Sequence, residues 1–463
     1  MKGMIFAGAL ALAAVSPAAL PPEAFDGTLI YAVTDKANPV AYAPGEEIVF
    51  RLRLADAPEG LEGGGYAIRW TRRGDDGAVR EGRIPLDGAT PLEVRTSLAK
   101  PGGVTLAVEL VDAAGQPVKR SRPHPDYPGW ERGTDLVRLF AGALVQPEKL
   151  VQAHPEPEDF DAVWARQKRR LADVPLRADV ERLGEAQGGA YEVFKFRIDC
   201  PGPRPVTGFM TRPKGAKPRS CKLAGMFQGY GDNPQGRLSW GLPDTILFEI
   251  NAHGYELERQ PEYYDAFRRG VRTPDDGYGF SAWQNEYPEG CYFNGMALRL
   301  MRAYEYFKTL PEWNGRDVEA SGGSQGGLQT LWAAGLVDGI TAARATVPWC
   351  CDLGAEAAGR DVPNWRIRWT KGISYYDPVN HARRAKCPVR IDRAGLGDTG
   401  CLPNSIAVLY NNLARGGSVN WVQNSTHGYV PRANLQSVEL PGGRVVRAEA
   451  GRNVFTGDRM EGR

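Results

Sequence analysis

The hydrophobic pattern of this 463-residue chain changes period once, and that change governs what the chain can fold into. Up to about residue 145 apolar residues alternate with polar ones. "EEIVFRLRLA" sets Ile48, Phe50, Leu52 and Leu54 against Val49, Arg51 and Arg53. "YAIRW" does the same with Tyr66, Ile68 and Trp70, and "VTLAVEL" with Val104, Leu106, Val108 and Leu110. The runs are broken by "APGE", "EGGG", "RGDDG" and "KPGG". A period of two with turn residues between short runs describes antiparallel strands with one solvated face. A small immunoglobulin-like β-sandwich is therefore expected over residues 25–145. It carries no recognisable chemistry, which leaves two roles: packing against the next domain, or a carbohydrate-binding module.

A Pro-rich connector follows ("SRPHPDYPGW", "AHPEPED"), and the texture then changes. In "PEDFDAVWARQKRRL" Pro157 and two acids open a helix whose apolar stripe is Phe160, Val163, Trp164 and Leu171. Strand-like and helical runs then alternate through "LAGMFQGYG", "TILFEINAHG", "GMALRLMRAYEYF", "PVRIDRAGLGD" and "NWVQNSTHGY". Such alternation predicts a doubly wound, mostly parallel sheet with helices on both faces, here over residues 157–435 with a tail at 436–463. Two domains also suit the length, which exceeds what one ordinary core supports.

Apolar content of 42%, charged content of 24% and a net charge of +2 describe a globular chain with no electrostatic footprint for nucleic acid or an anionic membrane. The first 18 residues read as a secretory signal: Lys2, the apolar run Met4 to Val15, then Ser16-Pro17-Ala18 as a small-x-small cleavage pattern. A secreted or periplasmic protein is expected, with no membrane association after cleavage. The seven cysteines form no C-x-x-C pattern and their odd number leaves at least one thiol free. The five histidines include no i, i+4 pair, so no metal site is expected.

Within the second domain, Gly322-Gly323-Ser324-Gln325-Gly326 satisfies G-x-S-x-G. A strand-like segment precedes it, and Leu328, Leu331, Trp332 and Leu336 continue it as a helix. Such a turn exposes the serine hydroxyl above a helix N-terminus, and its glycines avoid collision with neighbouring backbone. A serine nucleophile needs a base, and behind this motif the partners follow in the order acid, then histidine. Only His381 and His427 lie C-terminal to Ser324. His381 stands in a helical segment, "DPVNHARRA", as a packing or surface residue; His427 stands in a loop after the strand-like "VNWVQ", where the base belongs. Asp398, in the loop after "PVRIDRAGLG", is the expected acid; Asp392 lies within the strand. Asp398-Thr399-Gly400 also spells the aspartic-protease tripeptide, but that chemistry needs two such copies and the chain has one. The oxyanion hole is expected from the main-chain N–H groups of Gln325 and, from "MFQGYGDN", Tyr230.

Taken in order, "PEDFDAVWARQKRRL", "FQGYG", "SGGSQGG", "VPWCCDLG", "GISYYDPVNHARRAKCPV", "GLGDTGCLPNSIAVLYNNL" and "HGY" resemble the acetyl xylan esterase/cephalosporin C deacetylase family of α/β-hydrolases over residues 157–431. The resemblance implies Ser324 as nucleophile, Asp398 as acid, His427 as base and Tyr230 and Gln325 as oxyanion donors. It implies a cofactor-free esterase acting on acetyl esters of small molecules or oligosaccharides, and it leaves a homo-oligomer open. The chain departs from that pattern at Gln228, at Ala252-His253-Gly254, at Gly428 after the histidine, and in a Tyr/Trp-rich insertion over 255–290. Trp283, Trp349, Tyr255 and Tyr292 are candidates for a sugar platform. Two other readings compete. One is a serine peptidase of the prolyl oligopeptidase kind, although a propeller does not fit in the first domain. The other is an inert glycan-binding protein.

Overall fold

The computed structural model describes residues 20–124, 135–274, 277–363, 365–428, 436–441 and 444–445; the expected signal peptide lies outside them. Among the described residues the first domain has seven strands: β1 (Leu29–Thr34), β2 (Ile48–Ala55), β3 (Ala67–Gly74), β4 (Val79–Pro85), β5 (Glu93–Thr96), β6 (Gly102–Val111) and β7 (Arg138–Val145). They form two antiparallel sheets, ordered β1-β2-β5 and β4-β3-β6-β7. Ile30, Ile48, Phe50 and Val94 of the first sheet share one core with Ile68, Val104, Leu106, Val108 and Ala141 of the second. Alternation produces this: along β2, Ile48, Phe50 and Leu52 are buried while Arg51 and Arg53 stay in water. Val49, expected on the outer face, is buried as well. Edge strands β1 and β7 lie alongside each other, and both face the second domain.

The second domain begins with α1 (Phe160–Ala172), whose Phe160, Val163, Trp164 and Leu171 are buried as the stripe predicts. Then come β8 (Ala178–Ala186), β9 (Tyr191–Ile198), β10 (Val206–Pro213), β11 (Cys221–Phe227), β12 (Thr245–Ile250), α2 (Pro261–Val271), α3 (Tyr292–Phe307), β13 (Trp313–Gly323), α4 (Gln325–Leu336) and β14 (Ala342–Thr346). They are followed by α5 (Pro378–Ala382), β15 (Val389–Gly395), α6 (Pro403–Asn411), β16 (Gly417–Val422), β17 (Ser437–Leu440) and β18 (Arg444–Val445). The strand order is β18-β17-β16-β15-β14-β13-β11-β12-β10-β9-β8. The stretch from β12 through β11 to β16 is parallel, with antiparallel pairs at both ends. Residues 437–440, expected to begin a tail, instead pair with β16 through Val438 opposite Trp421.

From β11 the chain moves outward to β12, then returns to the other side of β11 as β13. Strand order reverses there, and the C-terminal ends of strands at such a point leave a crevice. The oxyanion-loop and nucleophile candidates follow β11 and β13; the acid and base candidates follow β15 and β16.

Candidate active site

Ser324 is the hinge between β13 and α4, with left-handed backbone (φ 56, ψ −117) that a residue with a side chain rarely adopts. Its neighbours hold it there. The Ser324 N–H donates to the Thr346 carbonyl at 2.9 Å, and its own carbonyl accepts from Leu328 at 3.0 Å and Trp349 at 3.1 Å. The glycines are steric necessities. A Cβ on Gly326 would stand 2.1 Å from the Phe227 carbonyl oxygen, and one on Gly322 would stand 2.6 Å from it. These contacts belong to the end of β11, so the elbow and the oxyanion loop are locked together. Ser324 is 5% exposed.

Asp398 is fully buried at the start of the loop after β15. Its Oδ1 accepts the N–H groups of Gly400 (2.7 Å) and Cys401 (2.9 Å). Its Oδ2 lies 3.1 Å from His427 Nδ1. A carboxylate is the acceptor there, so Nδ1 carries the proton and Nε2 keeps its lone pair, the tautomer a general base needs. Burial pushes the imidazolium pKa down, but the facing Asp398 carboxylate overrides it and holds His427 well above the ordinary histidine value. The structure pairs His427 with Asp398, and hydrogen bonds from such a pair to a serine often tighten only with substrate bound.

Asp392, the rival acid, is spent on Arg344 and Arg390 within the sheet. His381 is a packing residue. It is fully buried against Phe160 and Trp164, gives its Nε2 proton to the Tyr375 carbonyl at 2.9 Å, and has its pKa lowered by burial to about 3. All seven cysteines are free. The donor atoms of Asp398, Cys401 and His427 lie within 4.8 Å of one another, close enough to hold a metal ion only at the expense of the base. Burial raises the Cys401 thiol pKa to about 12, so it sits beside His427 as a neutral group.

Gln325 opens α4, so its N–H has no acceptor within the helix. Tyr230 lies in the loop after β11, and among the described residues its N–H is likewise unspent. Two residues from outside the motifs secure these donors. Tyr278 Oη accepts the Gly231 N–H at 3.0 Å and donates to Gln325 Oε1 at 2.8 Å, tying one donor segment to the other. His253, neutral because burial lowers its pKa to about 4, gives its Nε2 proton to the Gly231 carbonyl at 2.9 Å and accepts from Tyr292 Oη at 2.8 Å. Tyr278 comes from the aromatic insertion and His253 from a departure in the motif, the two signals that could have found them.

The aromatic candidates divide. Tyr255 is buried, its hydroxyl bonded to the Asn233 carbonyl, and the hydroxyl of the half-buried Tyr292 is held by His253. Trp283 is exposed. Trp349 stacks on Trp365 at 5.1 Å, and both meet Tyr230 edge-on. Trp365, which sequence reasoning missed, is 38% exposed and borders a groove of about 780 Å³ with Asp232, Asn233 and Arg272. A cavity of about 40 Å³, lined by Pro348, Trp349, Cys401 and Leu402, lies between the residues after β14 and the acid loop.

Residues 138–356 match the family model described as acetyl xylan esterase. That stretch runs from β7 of the first domain through the elbow and β14 of the second. Ser324, Gln325 and Tyr230 fall inside the match, whereas Asp398 and His427 lie beyond it. The chain is also similar to the acetyl esterase Axe7A of Xylanibacter ruminicola, 28% identical over 276 residues. The alignment takes in 57% of this chain and 62% of that relative's length. Among solved structures, the acetyl xylan esterase from Paenibacillus sp. R4 superposes with a TM-score of 0.49 at 21% identity, over 61% of this chain and 93% of that one. Acetyl xylan esterase 1 from Thermoanaerobacterium sp. JW/SL YS485 gives 0.48 at 17% identity, over 61% and 92%.

Proposed function

We propose that this protein is a serine carboxylic ester hydrolase of the α/β-hydrolase type that removes O-acetyl groups from acetylated saccharides. The observation that carries the reading is the His427–Asp398 pair, in the base-competent tautomer, on neighbouring loops to one side of a left-handed Ser324 elbow. In the first step His427 Nε2 takes the Ser324 proton as Oγ attacks the acetyl carbonyl. Asp398 steadies the imidazolium, and the N–H groups of Gln325 and Tyr230 receive the oxyanion. The sugar alcohol leaves with the proton from His427, and water then hydrolyses the acetyl-enzyme by the same route. The family match and the acetyl-esterase relative support the acyl group. The groove beside Trp365, with an aromatic face next to Asp232, Asn233 and Arg272, supports a saccharide alcohol. The leader sequence supports secretion or a periplasmic location.

Acetate release from acetylated xylo-oligosaccharide, beside aryl esters of increasing chain length, tests the reading. Ser324→Ala should lower turnover by a factor on the order of a million. The base must be neutral to act and its pKa is raised, so kcat/KM should rise with pH along a limb centred above 6.5. Hydrolysis of aryl acetate but not of the saccharide would keep the mechanism and discard the substrate. Ser324-independent or absent hydrolysis of every ester would discard both.

A further inference from the structure

We propose that Gln423 is a positioning residue for the base, and that through it the N-terminal domain forms part of the active-site frame. The inference rests on the Ser324–His427–Asp398 reading. Gln423 follows β16 and precedes His427 by four residues; it is fully buried and touches no reacting atom. Its side-chain amide pairs with both main-chain groups of Gly142: Oε1 accepts the N–H at 3.0 Å and Nε2 donates to the carbonyl at 2.8 Å. Gly142 lies on β7, an edge strand, so the amide takes the place of a neighbouring strand. The next residue repeats the device on the other sheet. Asn424 Oδ1 accepts from Ala32 N–H on edge strand β1, and Nδ2 donates to the Ala32 carbonyl, both at 3.0 Å. Asn424 itself has left-handed backbone (φ 58), which turns the chain toward His427.

The same piece of β7 bears on the acid loop. A Cβ on Gly142 would lie 2.1 Å from the Leu396 carbonyl oxygen, and one on Gly397 would lie 2.4 Å from the Phe140 carbonyl oxygen. Acid and base loops are also joined directly, by Leu396 N–H to Val422 O (2.9 Å) and Gly397 N–H to Ser425 O (3.0 Å). Residues 140–142 therefore back both loops, and Gln423 is the side chain that fixes the base loop to that backing. Small misplacement of a reacting group is costly, on the order of a hundredfold in rate for 1 Å. Loosening this contact should be read in turnover rather than in substrate binding.

The test uses the full-length protein, aryl acetate as substrate, and pH profiles of kcat/KM for wild type, Ser324→Ala, Gln423→Leu and Asn424→Gly. Gln423→Leu keeps bulk and removes the amide; Asn424→Gly keeps the left-handed turn and removes only the Ala32 pairing. Gln423→Leu should lower kcat roughly 10- to 100-fold with KM within about threefold. Its acid limb should move to lower pH, because an imidazole farther from Asp398 loses the charge that raises its pKa. Asn424→Gly should change both in the same direction, by several-fold in kcat, and decides the matter if Gln423→Leu does not fold. A folded Gln423→Leu with wild-type kcat, or with lowered kcat and an unmoved limb, overturns the inference while leaving the Ser324 reading intact. If Gln423→Leu does not fold, wild-type kcat or an unmoved limb in Asn424→Gly overturns it. Wild-type hydrolysis that does not depend on Ser324 overturns the reading itself.

Discussion

The nucleophile elbow and the base loop are both short turns after parallel strands, yet they are held in opposite ways. Ser324 is fixed from within its own sheet: Thr346 and Phe227, on the neighbouring strands, and the first turn of α4 leave room for one backbone path, and glycines permit it. His427 is fixed from outside, by side-chain amides of Gln423 and Asn424 reaching edge strands of a different domain. The first arrangement is steric and local. The second depends on hydrogen bonds between residues some 280 to 390 positions apart. If Ser324, His427 and Asp398 act as proposed, the site is rigid at one end by geometry and at the other by docking, and the two ends should fail differently.

The largest loss should come where the ends meet. In Asp398→Asn the Gly400 and Cys401 N–H groups would select the amide oxygen for the Oδ1 position, leaving the NH₂ facing His427 Nδ1. That enforces the wrong tautomer, with the proton on Nε2, and should lower kcat about 10⁴-fold with little change in KM. Steady-state kinetics with aryl acetate would show it, and a loss below tenfold would mean that Asp398 does not set the tautomer. Next in size is Gly326→Ala, which drives a methyl into the Phe227 carbonyl and into the oxyanion loop behind it. A fall in activity of a hundredfold or more is expected, with stability lowered by roughly 2 to 4 kcal/mol in a denaturant titration. A wild-type elbow in that variant would show that steric locking is not what holds Ser324.

The two halves of this comparison were not equally legible in the sequence. The elbow was, because its glycines and the helix pattern after Ser324 are consequences of local crowding that any chain making this turn must satisfy. Asp398 and His427 were picked out through the expected order of strands, and they stand in the loops after β15 and β16. Both domains followed from hydrophobic period. The supports were not legible. Gln423 and Asn424 carry no periodic or motif signal, and Tyr278 carries only its place in the aromatic insertion; their importance comes from partners brought close only by the tertiary fold. Tyr255 and Tyr292 erred the other way. An aromatic-rich insertion and its edge read as a binding surface, but their hydroxyls are used on main chain and on His253.

Tyr278 sits between the extremes, since it acts locally but through one hydroxyl. Tyr278→Phe keeps the ring stacked on Tyr230 (4.1 Å) while removing both the acceptor for Gly231 and the donor to Gln325. The oxyanion donors remain but lose their tie. The loss should be about tenfold in kcat, less than the hundredfold or more that follows removal of a donor itself. Unchanged kcat would show that the elbow and the oxyanion loop are sufficiently fixed by the Gly326–Phe227 contact alone.

The smallest effect sharpens the comparison from the side of the elbow. Glu319 is on β13, five residues before Ser324, and pairs with Lys222 of β11 at 3.3 Å. It therefore spans the two strands whose ends carry the nucleophile and the oxyanion loop. Both side chains are about half exposed (51% and 42%), so water screens the pair and holding two long side chains costs entropy. If the elbow is fixed by contacts at its own apex, Glu319→Gln should change stability by no more than about 0.5 kcal/mol and leave kcat within twofold. Thermal melts and aryl acetate kinetics on the same preparation suffice. A larger fall in kcat at unchanged stability would mean that spacing between β11 and β13, rather than the glycine contacts at their ends, sets the geometry of the nucleophile.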